Sequence, residues 1–387
     1  MRQVQGRTKG FSGRLVGRVV AAEDCVSEWV PDLNLFVQID DEYGWNLYAR
    51  LHDGGLKNIL PLTRDRSRFE VLEIALLDEG ADLALGDVVA ATESQRAFHV
   101  LYRESDQHHT VFVTNRCNSY CLMCSQPPTK HEDKWLIQEG IDVARHIRKP
   151  PPIIGFSGGE PLLEAPGFRA VLDRFLSVHP ETWAEVLTNG RKFADPEVAR
   201  QVLEGLPRKV SWMIPLYGHA DLVHDYVVQS PGAFDETISG LLVLHEYHQV
   251  IQIRAVLVEP VLENLLQLCE FIAKNLPFVS DVALMGCEPT GFALANRDIC
   301  EVDYERWGDV IAAAVKRLVD AGIRPVVMNI PLCLLPNQLW IYAAKSISDW
   351  KRVFDTECAE CGVRDQCCGL FASYAAGWKP GKIRPVS

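Results

Sequence analysis

From about residue 109 the chain alternates short apolar runs with helical patterns, and no other feature constrains its fold as strongly. The runs "TVFVT", "PIIGF", "AEVLT", "VSWMIPL", "VIQIRAVLV" and "DVALMG" follow one another, with "RPVVMNI" as a further candidate. Apolar residues on both parities mark strands covered on both faces. Between the runs, Phe168, Val171, Leu172, Phe175 and Leu176 recur at helical spacing, as do Tyr304, Trp307, Val310, Ile311, Ala314, Val315 and Leu318. Six such units predict an α/β fold in which a parallel sheet is covered by helices as an open or closed β/α barrel. In that architecture reacting groups belong at the carboxyl ends of the strands.

The preceding runs, "GRLVGRVV", "NLFVQID", "NLYARL", "DVVAAT" and "HVLYRE", are broken by Gly, Asp, Asn and Pro and read as a small β-rich domain over 1–105. The alternating region occupies 106–328, and a cysteine-rich region fills 329–387. With 387 residues the chain has room for more than one domain. No stretch of uncharged apolar residues is long enough to span a bilayer. The basic start "MRQVQGRTKG" has no apolar run behind it, so a cytoplasmic location is expected. A net charge of -12 argues against general affinity for nucleic acid. In a reducing compartment, 12 cysteines read as metal ligands or redox groups.

"RCNSYCLMCSQPP" places Cys117, Cys121 and Cys124 directly after the first strand of the alternating region, one thiol short of a closed site. Iron–sulfur clusters are held mainly by cysteine thiolates. Three ligands leave one iron of a four-iron cluster open, and an open position is what a catalytic metal centre needs. A zinc site completed by His131 is the alternative reading of the spacing. After the second strand, "GFSGGEP" supplies Ser157, Gly158, Gly159 and the Glu160 carboxylate, and the third strand ends in "LTNG". Glycines there allow backbone to approach a ligand closely.

The C-x3-C-x2-C loop, the GGEP turn and the TNG turn together resemble the radical S-adenosylmethionine superfamily. The resemblance implies a partial (β/α)6 barrel and a [4Fe-4S] cluster whose open iron chelates S-adenosylmethionine and reductively cleaves it to a 5'-deoxyadenosyl radical. It also implies cofactor binding by Ser157, Gly158, Gly159, Glu160, Thr188, Asn189 and Arg254. Met123 stands where an aromatic residue is usual, and "WMIPLYGHA" offers Pro215 and Tyr217 in place of a serine-containing ribose motif.

Near the end, "PLCLLP" and "CAECGVRDQCCGLF" supply Cys333, Cys358, Cys361 and Cys367, enough to close a second site, with Cys368 as the alternative fourth ligand. This resembles the auxiliary [4Fe-4S] region of radical enzymes that modify peptides; a zinc ribbon is the other reading. In "LMGCEPTGFALAN", Glu288 is the substrate-side candidate, against a reading of the segment as a turn with a helix cap.

Taken together, these segments resemble the HxsC branch of bacterial His-Xaa-Ser maturases over about residues 109 to 375. That resemblance implies a radical enzyme modifying a ribosomally made peptide or small protein, a RiPP maturase. It would work with a reductant such as flavodoxin or ferredoxin and beside a second maturase, HxsB. A radical enzyme acting on a small molecule, and a non-catalytic iron–sulfur or zinc protein, are the alternatives.

Overall fold

The structure, a computed structural model, describes residues 2–11, 13–68, 74–93 and 95–387. Packing divides the chain into two compact units. The first holds Met1–Val111, Trp135–Ile154 and Ala170–Thr182; the second holds Phe112–Lys134, Gly155–Arg169 and Trp183–Ser387.

In the first unit seven strands close a barrel: β1 (Arg2–Lys9), β2 (Arg14–Ala21), β3 (Asn34–Gln38), β4 (Ile59–Thr63), β5 (Ile74–Leu77), β6 (Val88–Thr92) and β7 (Ala97–Tyr102), in the order β1-β5-β4-β3-β2-β6-β7. Closure removes the unpaired edges that a small open sheet would present. Val19, Phe36, Leu62, Val89 and Phe98 share one core cluster, with Phe36 and Phe98 edge to face at 6.0 Å. One expected strand is a helix. "NLYARL" lies within the helix Glu42–Asp53, whose N-cap Asp41 accepts from Gly44 N and whose Trp45 and Tyr48 face the core. Those two aromatics are three residues apart, a spacing that buries one face of a helix but opposite faces of a strand.

The alternating region forms an eight-stranded sheet whose strands lie in chain order: β8 (Thr110–Thr114), β9 (Ile153–Gly158), β10 (Trp183–Leu187), β11 (Val210–Pro215), β12 (Val250–Val256), β13 (Asp281–Met285), β14 (Arg324–Met328) and the two-residue β15 (Ala343–Ala344). The ladders from β10 through β15 are parallel. This is the expected partial barrel, extended by "RPVVMNI" as β14 and by β15. Its order places the ends of successive strands side by side. Within the second unit, Trp212 of β11 is fully buried and meets Phe193 at 5.1 Å and Phe168 at 6.3 Å, both edge to face. The apolar stripe predicted over Phe168–Leu176 is the helix Ala165–Val178. The stripe predicted from Tyr304 becomes helical only at Gly308–Asp320. Tyr304 precedes the helix and donates its hydroxyl to Leu257 O at 3.1 Å. The tail adds a two-stranded antiparallel ribbon, β16 (Arg352–Val353) with β17 (Leu370–Phe371).

Among the described residues no helix is long and apolar enough to cross a membrane.

Candidate functional site

The loop after β8 contains neither helix nor strand between Arg116 and Cys124, so its shape is set by partners elsewhere in the second unit. Asp133 accepts from Thr114 Oγ1 at 2.9 Å. Gly159 N donates to Thr114 O at 2.7 Å and Glu160 N to Arg116 O at 2.8 Å. Further on, Tyr120 N and Leu122 N donate to Val228 O and Val227 O at 3.0 Å each. Asn296 Nδ2 donates to Leu122 O at 2.9 Å and Phe292 N to Cys124 O at 2.8 Å.

The two glycines of GGEP have a more specific use than the sequence suggests. A Cβ on Gly158 would lie 2.1 Å from Thr114 O, and one on Gly159 would lie 2.0 Å from Arg116 O. Both hard contacts are with the backbone of the cysteine loop. The close approach that glycine permits here is thus between two protein segments.

A cavity of about 320 Å³ opens at these strand ends. Cys117, Cys121 and Cys124 line it, as do Ser157, Gly158, Gly159 and Glu160 from β9, Thr188 and Asn189 after β10, and Arg254 of β12. Every cofactor-binding candidate named from the sequence therefore borders one space. Met123, Pro215 and Tyr217 border it too. His131 is exposed and lies outside the lining.

Glu160 has no solvent exposure. Its Oε1 accepts from Thr188 Oγ1 at 2.5 Å and Leu162 N at 2.9 Å, and Oε2 accepts from Asn189 N at 2.7 Å. A carboxylate has about four acceptor positions, so one remains for a cation in the cavity. Burial raises the Glu160 pKa, opposed by these hydrogen bonds and by the Arg191 charge. Thr188 orients the carboxylate and also accepts from Gly190 N at 3.1 Å. Arg254 donates from Nε to Gln252 Oε1 at 2.7 Å, and Gln252 in turn donates to Asp281. Tyr217 is buried at the cavity wall, with its ring stacked on His224 and its backbone N donating to His224 Nδ1 at 3.2 Å. Burial pushes the Cys117 thiol up to about 11 and the Cys121 thiol up to about 12.

Glu288 does not line the cavity; both its carboxylate oxygens accept from Lys351 Nζ at 3.0 Å. The surrounding segment braces other parts of the unit. Phe292 and Asn296 hold the cysteine loop, while Tyr374 OH donates to Cys287 O at 3.0 Å. Cys287 Sγ donates to Glu288 O at 3.7 Å and Cys300 Sγ to Leu122 O at 3.9 Å, the latter a further hold on the cysteine loop. The sequence reading missed Arg191, which anchors the cysteine loop, although it directly follows the TNG turn.

In the tail, Cys333, Cys358, Cys361 and Cys367 line a second, smaller cavity with Leu332, Phe354 and Ile383. Cys367 Sγ accepts from Gly369 N at 3.4 Å and Leu332 N at 3.5 Å, and Cys361 Sγ accepts from Val386 N at 3.5 Å. The Cys368 thiol beside it, with those backbone donors, draws Cys367 down to about 6. Cys368 is buried and outside this lining. Among the described residues no three His, Cys, Asp or Glu side chains are close enough to share a single metal ion. In both cavities the thiols stand around a space.

Three thiols beside a buried carboxylate and an arginine suit a cluster with one open iron and a zwitterionic ligand on it. The donor set therefore fits the group that the sequence motifs imply.

No protein-family profile matches the chain. It is 28% identical over 206 residues to the AdoMet-dependent heme synthase of Methanosarcina barkeri, covering 50% of this chain and 54% of that relative. The chain thus spans about half the length of the curated relative it matches. Streptococcus suis SuiB bound to S-adenosylmethionine aligns at 13% identity and a TM-score of 0.42, over 56% of this chain and 49% of that one. A radical SAM methyltransferase from Sphaerobacter thermophilus aligns at 17% and 0.42, over 62% and 72%. The enzyme anSMEcpe with bound AdoMet and a peptide aligns at 14% and 0.45, over 56% and 62%. In its motifs, its open sheet of strands in chain order and its curated relative, the chain resembles the radical S-adenosylmethionine superfamily.

Proposed function

We propose that the chain is a radical S-adenosylmethionine enzyme whose cluster is held by Cys117, Cys121 and Cys124. The observation that carries this reading is the convergence of three thiols, the Glu160 carboxylate and Arg254 on one cavity at the carboxyl ends of the strands. When bound, the cluster supplies the electron that splits the sulfonium into methionine and a 5'-deoxyadenosyl radical. The protein's own part is positional. Glu160, fixed by Thr188, Asn189 and Leu162, accepts from the methionine ammonium with its remaining acceptor position. Arg254, oriented by Gln252, faces the carboxylate or ribose. Ser157, Gly158 and Gly159 border the space for the cofactor and bind it there, and the two glycines let their strand end close on the cysteine loop.

For the tail we propose an auxiliary [4Fe-4S] cluster on Cys333, Cys358, Cys361 and Cys367. Four thiols around one cavity and backbone N–H groups aimed at two of the sulfurs support it. The domain limits proposed from the sequence, 1–105, 106–328 and 329–387, assign the clusters to the second and third segments. The substrate we propose is a ribosomally made peptide or small protein of the His-Xaa-Ser kind. The reaction takes place in the cytoplasm with a flavodoxin or ferredoxin as reductant and HxsB as companion. This rests on the tail's resemblance to peptide-modifying enzymes. Glu288, tied to Lys351, is the substrate-side candidate. The curated relative, a heme synthase, favours a second reading in which the substrate is a small molecule.

Anaerobically purified protein should carry about eight irons per chain if both sites hold four-iron clusters. Cys121→Ala should abolish formation of 5'-deoxyadenosine and keep about four irons in the tail. Formation of 5'-deoxyadenosine at the native rate in that variant would refute the assignment.

A further inference from the structure

We infer that Arg191 is the positioning residue of the open site: its guanidinium sets the stretch between Cys117 and Cys121 against the Glu160 pocket and so sets the seat of the cofactor. This rests on the radical reading above. The Arg191 side chain is only 9% exposed, so its hydrogen bonds are made largely out of water. Nη1 donates to Asn118 O at 2.7 Å, Ser230 Oγ at 2.9 Å and Ser119 Oγ at 3.0 Å. Nε donates to Glu236 Oε2 at 2.6 Å, which fixes the plane of the fork. Asn118 is gripped a second time, through its side chain, by Asn189 Nδ2 at 2.6 Å.

The backbone that carries Arg191 is the turn that clamps Glu160. Asn189 N donates to the Glu160 carboxylate, Thr188 Oγ1 donates to it as well, and Arg191 N donates to Asn189 Oδ1 at 3.1 Å. One short turn therefore holds the cysteine loop with the side chains of Arg191 and Asn189 and the carboxylate with its backbone and a hydroxyl. Loosening Arg191 changes how thiols and carboxylate face each other without removing any of them. A planar fork defines that relation as a flexible ammonium does not.

The test uses the full chain, reconstituted anaerobically, as wild type, Arg191→Gln and Arg191→Lys. Iron content, melting temperature, dissociation constant for S-adenosylmethionine and the change in the reduced cluster's EPR spectrum on adding that cofactor are measured on each. Arg191→Gln should keep its iron, bind the cofactor roughly ten- to a hundredfold more weakly, and show a broadened or missing spectral change. Arg191→Lys should fall between it and the wild type. Wild-type affinity and spectrum in both variants would overturn the inference and leave Arg191 a fold staple. Should Arg191→Gln lose iron, Arg191→Lys and Ser230→Ala decide by the same measurements, and native behaviour in both again overturns it. A wild-type protein that holds no cluster, or does not bind S-adenosylmethionine, refutes the radical reading instead, which is a different result.

Discussion

The two cysteine sites are built in opposite ways. The loop of Cys117, Cys121 and Cys124 has no regular structure of its own and is pinned by the β9 and β10 turns, the helix end at Val227 and Val228, and the segment after β13. The tail site is local. Cys358, Cys361 and Cys367 lie within ten residues, in and beside the short turns Thr356–Glu360 and Arg364–Gln366, and only Cys333 comes from farther away. Their chemistry differs in the same sense. Burial keeps the Cys117 and Cys121 thiols protonated, so a metal centre must displace protons there. Cys367, with two backbone donors on its sulfur and the Cys368 thiol next to it in sequence, is drawn down to about 6 and poised as a thiolate. The open site is therefore vulnerable to changes far from any thiol, and the tail site chiefly to changes at its own cysteines.

The sharpest way to break that contrast is Gly159→Ala. The new methyl would stand 2.0 Å from Arg116 O, and neither backbone can retreat without breaking the Glu160 N to Arg116 O bond of 2.8 Å. We expect a loss of several kcal/mol at the open site, on the order of 3 or more. The cysteine loop's iron should fall while the tail's iron remains. Iron counted per chain and 5'-deoxyadenosine formation check this, and normal values for both would show that the loop is not held as described.

How much of this could be read from residues alone follows from range in sequence. The strands of the sheet and the site at their carboxyl ends were legible because a strand covered on both faces must be apolar on both parities. The cysteine loop and GGEP were legible because each motif is contiguous. The hold of Gly159 on Arg116, and of Arg191 on Asn118, joins residues 43 and 73 positions apart; no local pattern encodes such a contact. "NLYARL" was misread as strand because six residues are too few to separate a period of 2 from one of 3.6; the window from Glu42 to Asp53 would have shown Trp45 and Tyr48 on one face. In the segment after β13, Glu288 was legible as a substrate-side candidate because it follows a strand end, whereas the use of Phe292 and Asn296 as braces depends on the position of the cysteine loop and was not.

His224 sharpens the comparison through pH. It backs Tyr217 on the wall of the open cavity, and its neutral Nδ1 accepts from Tyr217 N. Burial lowers its pKa from 6.5 to about 4. A depressed histidine is neutral in both folded and unfolded chains above pH 6.5. Below that the unfolded chain takes up the proton first, so stability falls as pH falls from 6.5 towards 4. The loss reaches at most roughly 3 kcal/mol. His146 and His179 are lowered by burial too, so the measurement is a difference. Denaturant midpoints of wild type and His224→Gln, which keeps an acceptor, should converge as pH drops across this window. Parallel curves would show that His224 does not titrate as described.

The smallest effect is expected where the tail offers a thiol too many. Cys368 adjoins Cys367 in sequence, but its side chain is buried away from the cavity that the other four line, with Sγ 3.4 Å from Gly369 O. Cys368→Ala removes one buried sulfur, a small truncation of roughly 1 kcal/mol, and leaves all four thiols around the cavity. Iron content should stay within error of the wild type, whereas Cys367→Ala should lower it by up to about four per chain. One coupling adds a finer expectation. The Cys368 thiol is among the groups that draw Cys367 down, so its loss should slow cluster assembly at slightly acid pH without changing the final count. Should Cys368→Ala lose the iron while Cys367→Ala keeps it, the fourth ligand is Cys368, and residues 367 to 369 must turn over when the cluster forms. The local site would then depend on a rearrangement, and the contrast between the two sites would be weaker than their geometry indicates.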